Sequence, residues 1–161
     1  MIKLYIKQHV FSWSTRFTVK DESGRDAYFV EGELFSWGKK LHVYNANQVE
    51  VIYIQQKLMS WLPKYHIFIQ GTQVAELVKE LTFFKPQYSV HGLGWNVEGE
   101  FWGHEYTVSR GNVPVVTIAK EWFTWGDSYA LSIANDRDVL PALAVVLAID
   151  CAVEEGQSTT L

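Results

Sequence analysis

The sequence predicts a mainly β fold: about twelve antiparallel strands, built as hairpin repeats and closed into a barrel wrapped around a central hydrophobic C-terminal α-helix. Three observations predict it. Trp13, Trp37 and Trp61 are spaced by 24 residues twice over, and aligning the chain at that period aligns far more than tryptophan. Each aligned unit alternates apolar and polar residues, turns, and alternates again, which is the pattern of a β-hairpin. The last apolar stretch abandons alternation altogether and reads as a helix that must be enclosed.

Taken in order, "FTVKDESGRDAYFVEGELFSWG" (17–38) sits over "LHVYNANQVEVIYIQQKLMSWL" (41–62) and then "YHIFIQGTQVAELVKELTFFKP" (65–86). A fourth copy, "YTVSRGNVPVVTIAKEWFTWG" (106–126), is one residue shorter. Each opens on paired apolar positions: Phe17/Val19, Leu41/Val43, Tyr65/Ile67 and Tyr106/Val108. Turn-forming clusters follow ("DESGRD", "NANQ", "QGTQ", "SRGNVP"), then a second apolar run and an aromatic corner. Each unit therefore supplies two strands of about seven residues, roughly 23 Å long. The pieces around 2–8, 87–91, 95–102 and 128–133 bring the total to about twelve. "VAELVKEL" within 74–81 has helical spacing and propensity when read alone, but the repeat register predicts a strand there.

Residues 136–156, "DRDVLPALAVVLAIDCAVEEG", are rich in Ala, Leu and Val. Asp138 can cap the start, Pro141 falls in the first turn, and Gly156 can end the run. A helix over about 138–155 is roughly 24 Å long, matching the strands. It is too short, and too interrupted by Asp150, to span a bilayer. Twelve strands leave room inside a barrel that eight would fill with side chains alone, so the helix belongs there.

The bulk numbers bound the function. The 161 residues, 48% hydrophobic and 20% charged, suit one globular domain over 1–161, with no Pro/Gly/Ser-rich linker. Residues 1–40 hold seven Lys/Arg against five Asp/Glu, and residues 41–161 hold seven against thirteen, giving +2 and −6. That asymmetry falls well short of a phosphate-binding stripe, so no nucleic acid is expected. The single cysteine, Cys151, and the charged N-terminus, without a cleavage site, predict a cytoplasmic protein with no transmembrane segment.

The hairpin repeats with "FSWG", then "ELTFFKPQYSV", "GWNVEGEFW", "GDSYALSI" and the apolar terminal helix, resemble the LURP-one-related family with its YxjI-like members. The resemblance spans about residues 4–155. It implies a fold similar to the tubby C-terminal domain and the phospholipid scramblases: a twelve-stranded barrel around a hydrophobic helix. The family implies no agreed activity, and its plant members are linked to defence responses. Tubby domains bind phosphoinositide head groups and scramblases act on membrane lipids, but neither role transfers without matching residues.

The candidate residues follow. The corner tryptophans Trp13, Trp37, Trp61 and Trp125 could form a ring of stacking surfaces for sugar or lipid. A residue repeated at every hairpin junction is more simply a requirement of the fold, and these are read as structural plugs between strands. Lys39 and Lys40, with Arg16 and Lys64 at equivalent junctions, are the candidates for an anionic contact such as a lipid head group. "DESGRD" lacks the alternating oxygen ligands of a calcium loop and reads as a turn on Gly24. His42 and His66 are equivalent positions out of phase with inward Leu41 and Tyr65, His104-Glu105 lacks zinc-protease spacing, and His9 and His91 have no evident partners, so no metal is expected. Cys151 is hidden in the helix, and neither a nucleophile elbow nor a phosphate loop is present. Asp150, a carboxylate in an apolar helix, needs a partner.

The expected function is a non-enzymatic binding or scaffold domain without a cofactor, recognising phospholipid or phosphoinositide head groups at a membrane surface. The alternatives are a small-ligand carrier or enzyme with a pocket near Asp150, and a protein-interaction module using Trp95, Trp102 or Trp122.

Overall fold

A computed structural model describes residues 1–7, 16–33, 37–123 and 126–158, apart from the side chains at 122, 123, 126, 127, 157 and 158. Twelve strands form a closed antiparallel barrel in which each strand pairs with its sequence neighbours and β1 closes on β12. They are β1 (Ile2–Lys7), β2 (Arg16–Lys20), β3 (Asp26–Gly32), β4 (Lys40–Asn45), β5 (Glu50–Gln56), β6 (Lys64–Ile69), β7 (Thr72–Glu80), β8 (Gln87–His91), β9 (Trp95–Glu100), β10 (Glu105–Arg110), β11 (Val113–Phe123) and β12 (Gly126–Ile133). After a single 3-10 turn at Asp136–Asp138, the helix α1 (Val139–Ser158) runs through the interior.

Alternation sets the inside of the barrel. Leu41 and Val43 on β4, Ile52 and Ile54 on β5, and Tyr65 and Ile67 on β6 are fully buried in the core, whereas His42, Tyr53 and His66 between them are partly exposed. From Ala142 to Ala152 the helix is buried on every face. A helix this apolar is enclosed by protein because the barrel offers no other partner for its surface.

The 24-residue period encodes more than hydrophobicity. The ladder shifts register between Val19 and Lys20, between Val43 and Tyr44, and between Ile67 and Phe68, one bulge per repeat at the same place. The fourth hairpin shifts between Val108 and Ser109. Such bulges increase local twist and bend, which closes a sheet into a barrel. Turn chemistry repeats as well: one side-chain oxygen of Asp21 accepts from the N–H of Ser23 and Arg25 at 2.9 and 3.1 Å. Asn45, 24 residues later, accepts from Asn47 and Val49 at the same two distances. "VAELVKEL" lies in β7, with Ala75 and Leu77 facing inward; pairing with β6 and β8 overrides its local helix propensity.

Because consecutive strands alternate in direction, the hairpin turns and the start of α1 share one end of the barrel. The inter-repeat corners, described at 33, 37–39, 57–63, 81–86 and 101–104, share the other with the last turns of α1. Every candidate site residue of the lysine and tryptophan sets that falls within the described residues lies at this corner end.

Candidate functional site

The corner end gathers exposed apolar side chains. Among the described residues the large hydrophobic side chains open to solvent are Trp37, Leu58, Met59, Trp61, Leu81, Phe83, Phe84 and Trp102 on the four corners, with Met1, Val49 and Val113 at the opposite end. Trp37 is 87% exposed, Trp61 93% and Phe84 99%. These values overturn the reading of Trp37 and Trp61 as plugs between strands: they stand at the corners but bury nothing. Trp13 and Trp125, and the side chain of Trp122, lie outside the described residues.

The "FSWG" motif thus divides into two parts. Gly38 takes φ +75°, and a Cβ there would come within 2.9 Å of Leu58 Cδ2, so glycine is what the turn requires. The corner is then held by backbone bonds, Gln56 N–H to Lys39 O at 2.8 Å and Glu33 N–H to Lys40 O at 3.0 Å. None of this uses the indole of Trp37.

The four basic candidates come to the same end, at the starts of β2, β4 and β6, but they meet carboxylates. Arg16 pairs with Glu31 at 3.4 Å, Lys40 with Glu33 at 3.7 Å, and Lys64 with Glu76 at 3.9 Å. Lys39 acts inward, its charge opposing the effect of burial on Glu154 at the end of α1. Lys57 and Lys85, which the sequence did not single out, are exposed beside the Leu58–Trp61 and Phe83–Phe84 tips. His42 and His66 do face outward, held by Glu33 and Glu50 and by Glu76 respectively. Among the described residues no group of three His, Cys, Asp or Glu side chains comes together closely enough to hold a metal ion.

At the same end a polar cluster, the mouth of the barrel, surrounds the last turns of α1. Asp150, only 6% exposed, accepts a hydrogen bond from the Tyr129 hydroxyl, and its other oxygen is 3.4 Å from His104 Nε2. The His104 ring stacks flat on Tyr129, centroids 4.0 Å apart. One turn onward, Glu155 accepts from the Tyr65 hydroxyl and from Gln56 Nε2 at 2.8 Å. Burial pushes the phenols up: Tyr88 to about 12, Tyr65 further, and Tyr106 and Tyr129 far above their ordinary value, with the Asp150 charge adding to the last two. Burial likewise holds Cys151 as an unreactive thiol. Asp150 is legible from sequence as a charge inside an apolar helix and Tyr106 as an inward position of the fourth repeat; nothing local to His104 or Tyr129 marks them as partners of Asp150.

Of the remaining expected contacts, Trp95 is buried while Trp102 is half exposed on its corner. A groove of about 500 Å³ on the outer wall is lined by Phe29, Tyr44, Arg16 and Glu31. No helix among the described residues is long and apolar enough to cross a membrane.

The comparisons agree with this architecture. An X-ray structure of an Arabidopsis thaliana protein superposes with a TM-score of 0.64, covering 93% of this chain and 90% of that one at 14% identity, a likeness of fold. The uncharacterized protein YxjI of Bacillus subtilis (strain 168) is 35% identical over 161 residues, all of this chain and 99% of that protein. The family model LURP-one-related matches residues 2–150, from the first strand of the barrel to the Asp150 of its mouth, and the chain belongs to that family.

Proposed function

We propose that this protein is a non-enzymatic binding module that docks the corner end of its barrel on an anionic phospholipid surface. The observation that carries this reading is the concentration, among the described residues, of exposed Trp, Phe and Leu side chains and Met59 on four neighbouring corners, against Met1, Val49 and Val113 at the other end. Apolar side chains displayed on loop tips cost free energy in water, and contiguous ones mark an interaction surface. Tryptophan and phenylalanine at the tips of rigid loops suit the boundary between head groups and acyl chains, where an aromatic ring is covered while the polar backbone stays hydrated.

The basic residues fit the same surface. Lys57 and Lys85 flank the apolar tips, at the level where anionic lipid charge is felt. Arg16 is exposed and Lys40 and Lys64 partly so, all paired across 3.4–3.9 Å, contacts of little energy that lipid phosphates can replace. Insertion of aromatics therefore contributes more than charge, and salt weakens the binding without abolishing it. The free buried thiol of Cys151 suits a reducing compartment, so the surface met is the cytoplasmic leaflet.

Co-sedimentation with neutral and anionic vesicles, at low and physiological salt, tests the proposal. Binding to anionic vesicles that is lost in Trp61→Ala/Phe84→Ala and reduced in Lys57→Glu/Lys85→Glu is the expected result. Absence of binding to every vesicle, or binding indifferent to the aromatic pair, overturns it. Concentration-dependent dimerisation lost in the aromatic variant would assign the face to protein contact instead.

A further inference from the structure

We propose that the polar mouth of the barrel, formed by Asp150, Glu154, His104 and Tyr106, is a binding site for a primary ammonium group. This inference deepens the membrane reading and rests on it for the source of the ligand, since these residues lie at the corner end of the barrel.

The argument is an account of donors and acceptors. Asp150 takes the O–H of Tyr129 and faces His104 Nε2. With the Nε2 proton directed at Asp150, His104 Nδ1 carries a lone pair, and it is buried without a hydrogen-bond partner. Glu154 Oε2, one helical turn from Asp150, is also buried without a partner. Tyr106 is 3% exposed, points inward from β10 toward the Asp150 charge, and its hydroxyl has no partner either. Buried polar atoms are ordinarily satisfied, so three orphans around one carboxylate require an explanation.

Acceptors outnumber donors there: His104 Nδ1, Glu154 Oε2 and the remaining lone pairs of Asp150 stand against the unpartnered O–H of Tyr106, with Lys39 acting on Glu154. Glu155 is already taken by Tyr65 and Gln56, and the carboxyl of Glu154 stays raised by burial although the charge of Lys39 acts against that shift. An –NH3⁺ group brings three N–H donors and one charge, matching Glu154 Oε2, the remaining lone pairs of Asp150, and either Nδ1 or the Tyr106 oxygen. Phe101 and Tyr88, whose rings adjoin Tyr106 through Phe101 at 5.3 and 4.9 Å, give an apolar wall for the methylenes that carry it. A quaternary ammonium has no N–H to offer. Three-ligand metal coordination is not available among the described residues. The ammonium can come from the head group of an aminophospholipid or from a free amine.

The test has two arms. In solution, NMR follows the His104 and Tyr106 resonances during titration with ethanolamine, with choline as the control that lacks N–H donors. On membranes, vesicles of equal anionic content are prepared with phosphatidylethanolamine or phosphatidylcholine as the remainder. Saturable shifts with ethanolamine, about tenfold weaker with choline and about tenfold weaker in Glu154→Gln or Tyr106→Phe, are expected, the scale of one charge-assisted hydrogen bond. Preference for phosphatidylethanolamine, lost in those variants while Trp61-dependent binding persists, would identify the lipid as the source. Ethanolamine shifts without any vesicle binding would uphold the site, identify a free amine, and reject the membrane reading. Equal binding to both vesicle types with no ethanolamine shift would overturn the site and leave buried water as the partner of the orphans.

Discussion

The Tyr129 hydroxyl donates to the Asp150 carboxylate, joining β12 to the central helix at the corner end of the barrel interior. His104 completes the arrangement by stacking on Tyr129 and facing the same carboxylate, so the 101–104 corner is tied to the helix through one buried acid. Tyr129→Phe keeps the packing but leaves Asp150 short of a donor in a site almost closed to water. It should lower stability by about 1–3 kcal/mol, seen as a shift of the urea midpoint with an unchanged slope. A midpoint within error of the parent would show that the contact stabilises nothing.

Alkaline pH should unfold the barrel cooperatively. Tyr65, Tyr88, Tyr106 and Tyr129 all have folded-state values raised above the ordinary tyrosine value of 10.0, chiefly by burial. Above about pH 10 the unfolded chain loses phenolic protons that the folded chain retains, so stability is full below that pH and falls as pH rises. The slope is about 1.4 kcal/mol per unit for each tyrosine so held. Phenolate absorbance should therefore appear together with loss of circular dichroism. Ordinary titration of all eight tyrosines near pH 10 with the fold intact would contradict this.

Two glycines should respond differently to alanine. Gly24 has φ +80° in an open turn, with nothing within 4 Å of an added Cβ, so Gly24→Ala costs only the backbone strain, about 1–2 kcal/mol. Gly99 has φ +134°, and its Cβ would stand 2.5 Å from the Glu105 carbonyl and 2.6 Å from the Tyr106 Cα. Neither atom can move without opening the β9–β10 ladder beside the mouth. Gly99→Ala should leave little soluble folded protein, measured by thermal melts of the pair.

The barrel was legible because its repeat combines three kinds of information. Inward residues, bulge positions and the Asx turns at Asp21 and Asn45 recur together, and no local propensity, even that of "VAELVKEL", outweighs them. The corners were not legible in the same way. Between strands there is no period to say which direction a side chain points, so recurrence at every junction reads Trp37 and Trp61, the residues that reveal the repeat, as plugs, whereas both are exposed. Phe83 and Phe84 in the third repeat carry the same exposed character without the tryptophan signature. The mouth was half legible: Asp150 announced itself by position, but its partners Tyr129 and His104 come from β12 and the corner before β10, which only the closed topology brings together.

The exposed corner aromatics should prove free of any stabilising role. Trp61 and Phe84 are 93% and 99% exposed and make no burial that truncation could remove. Surface substitutions of this kind change stability by no more than about 0.5 kcal/mol. Trp61→Ala and Phe84→Ala should leave the urea midpoint where it was, while Leu143→Ala, which removes a fully buried helix side chain, costs about 2–5 kcal/mol. The contrast separates fold from function at the same hydrophobicity: a residue of that size that adds nothing to folding is available for the proposed contact outside the chain. A destabilisation by Trp61→Ala comparable to that of Leu143→Ala would return the corners to the barrel's own structure and remove the main support for docking through this end.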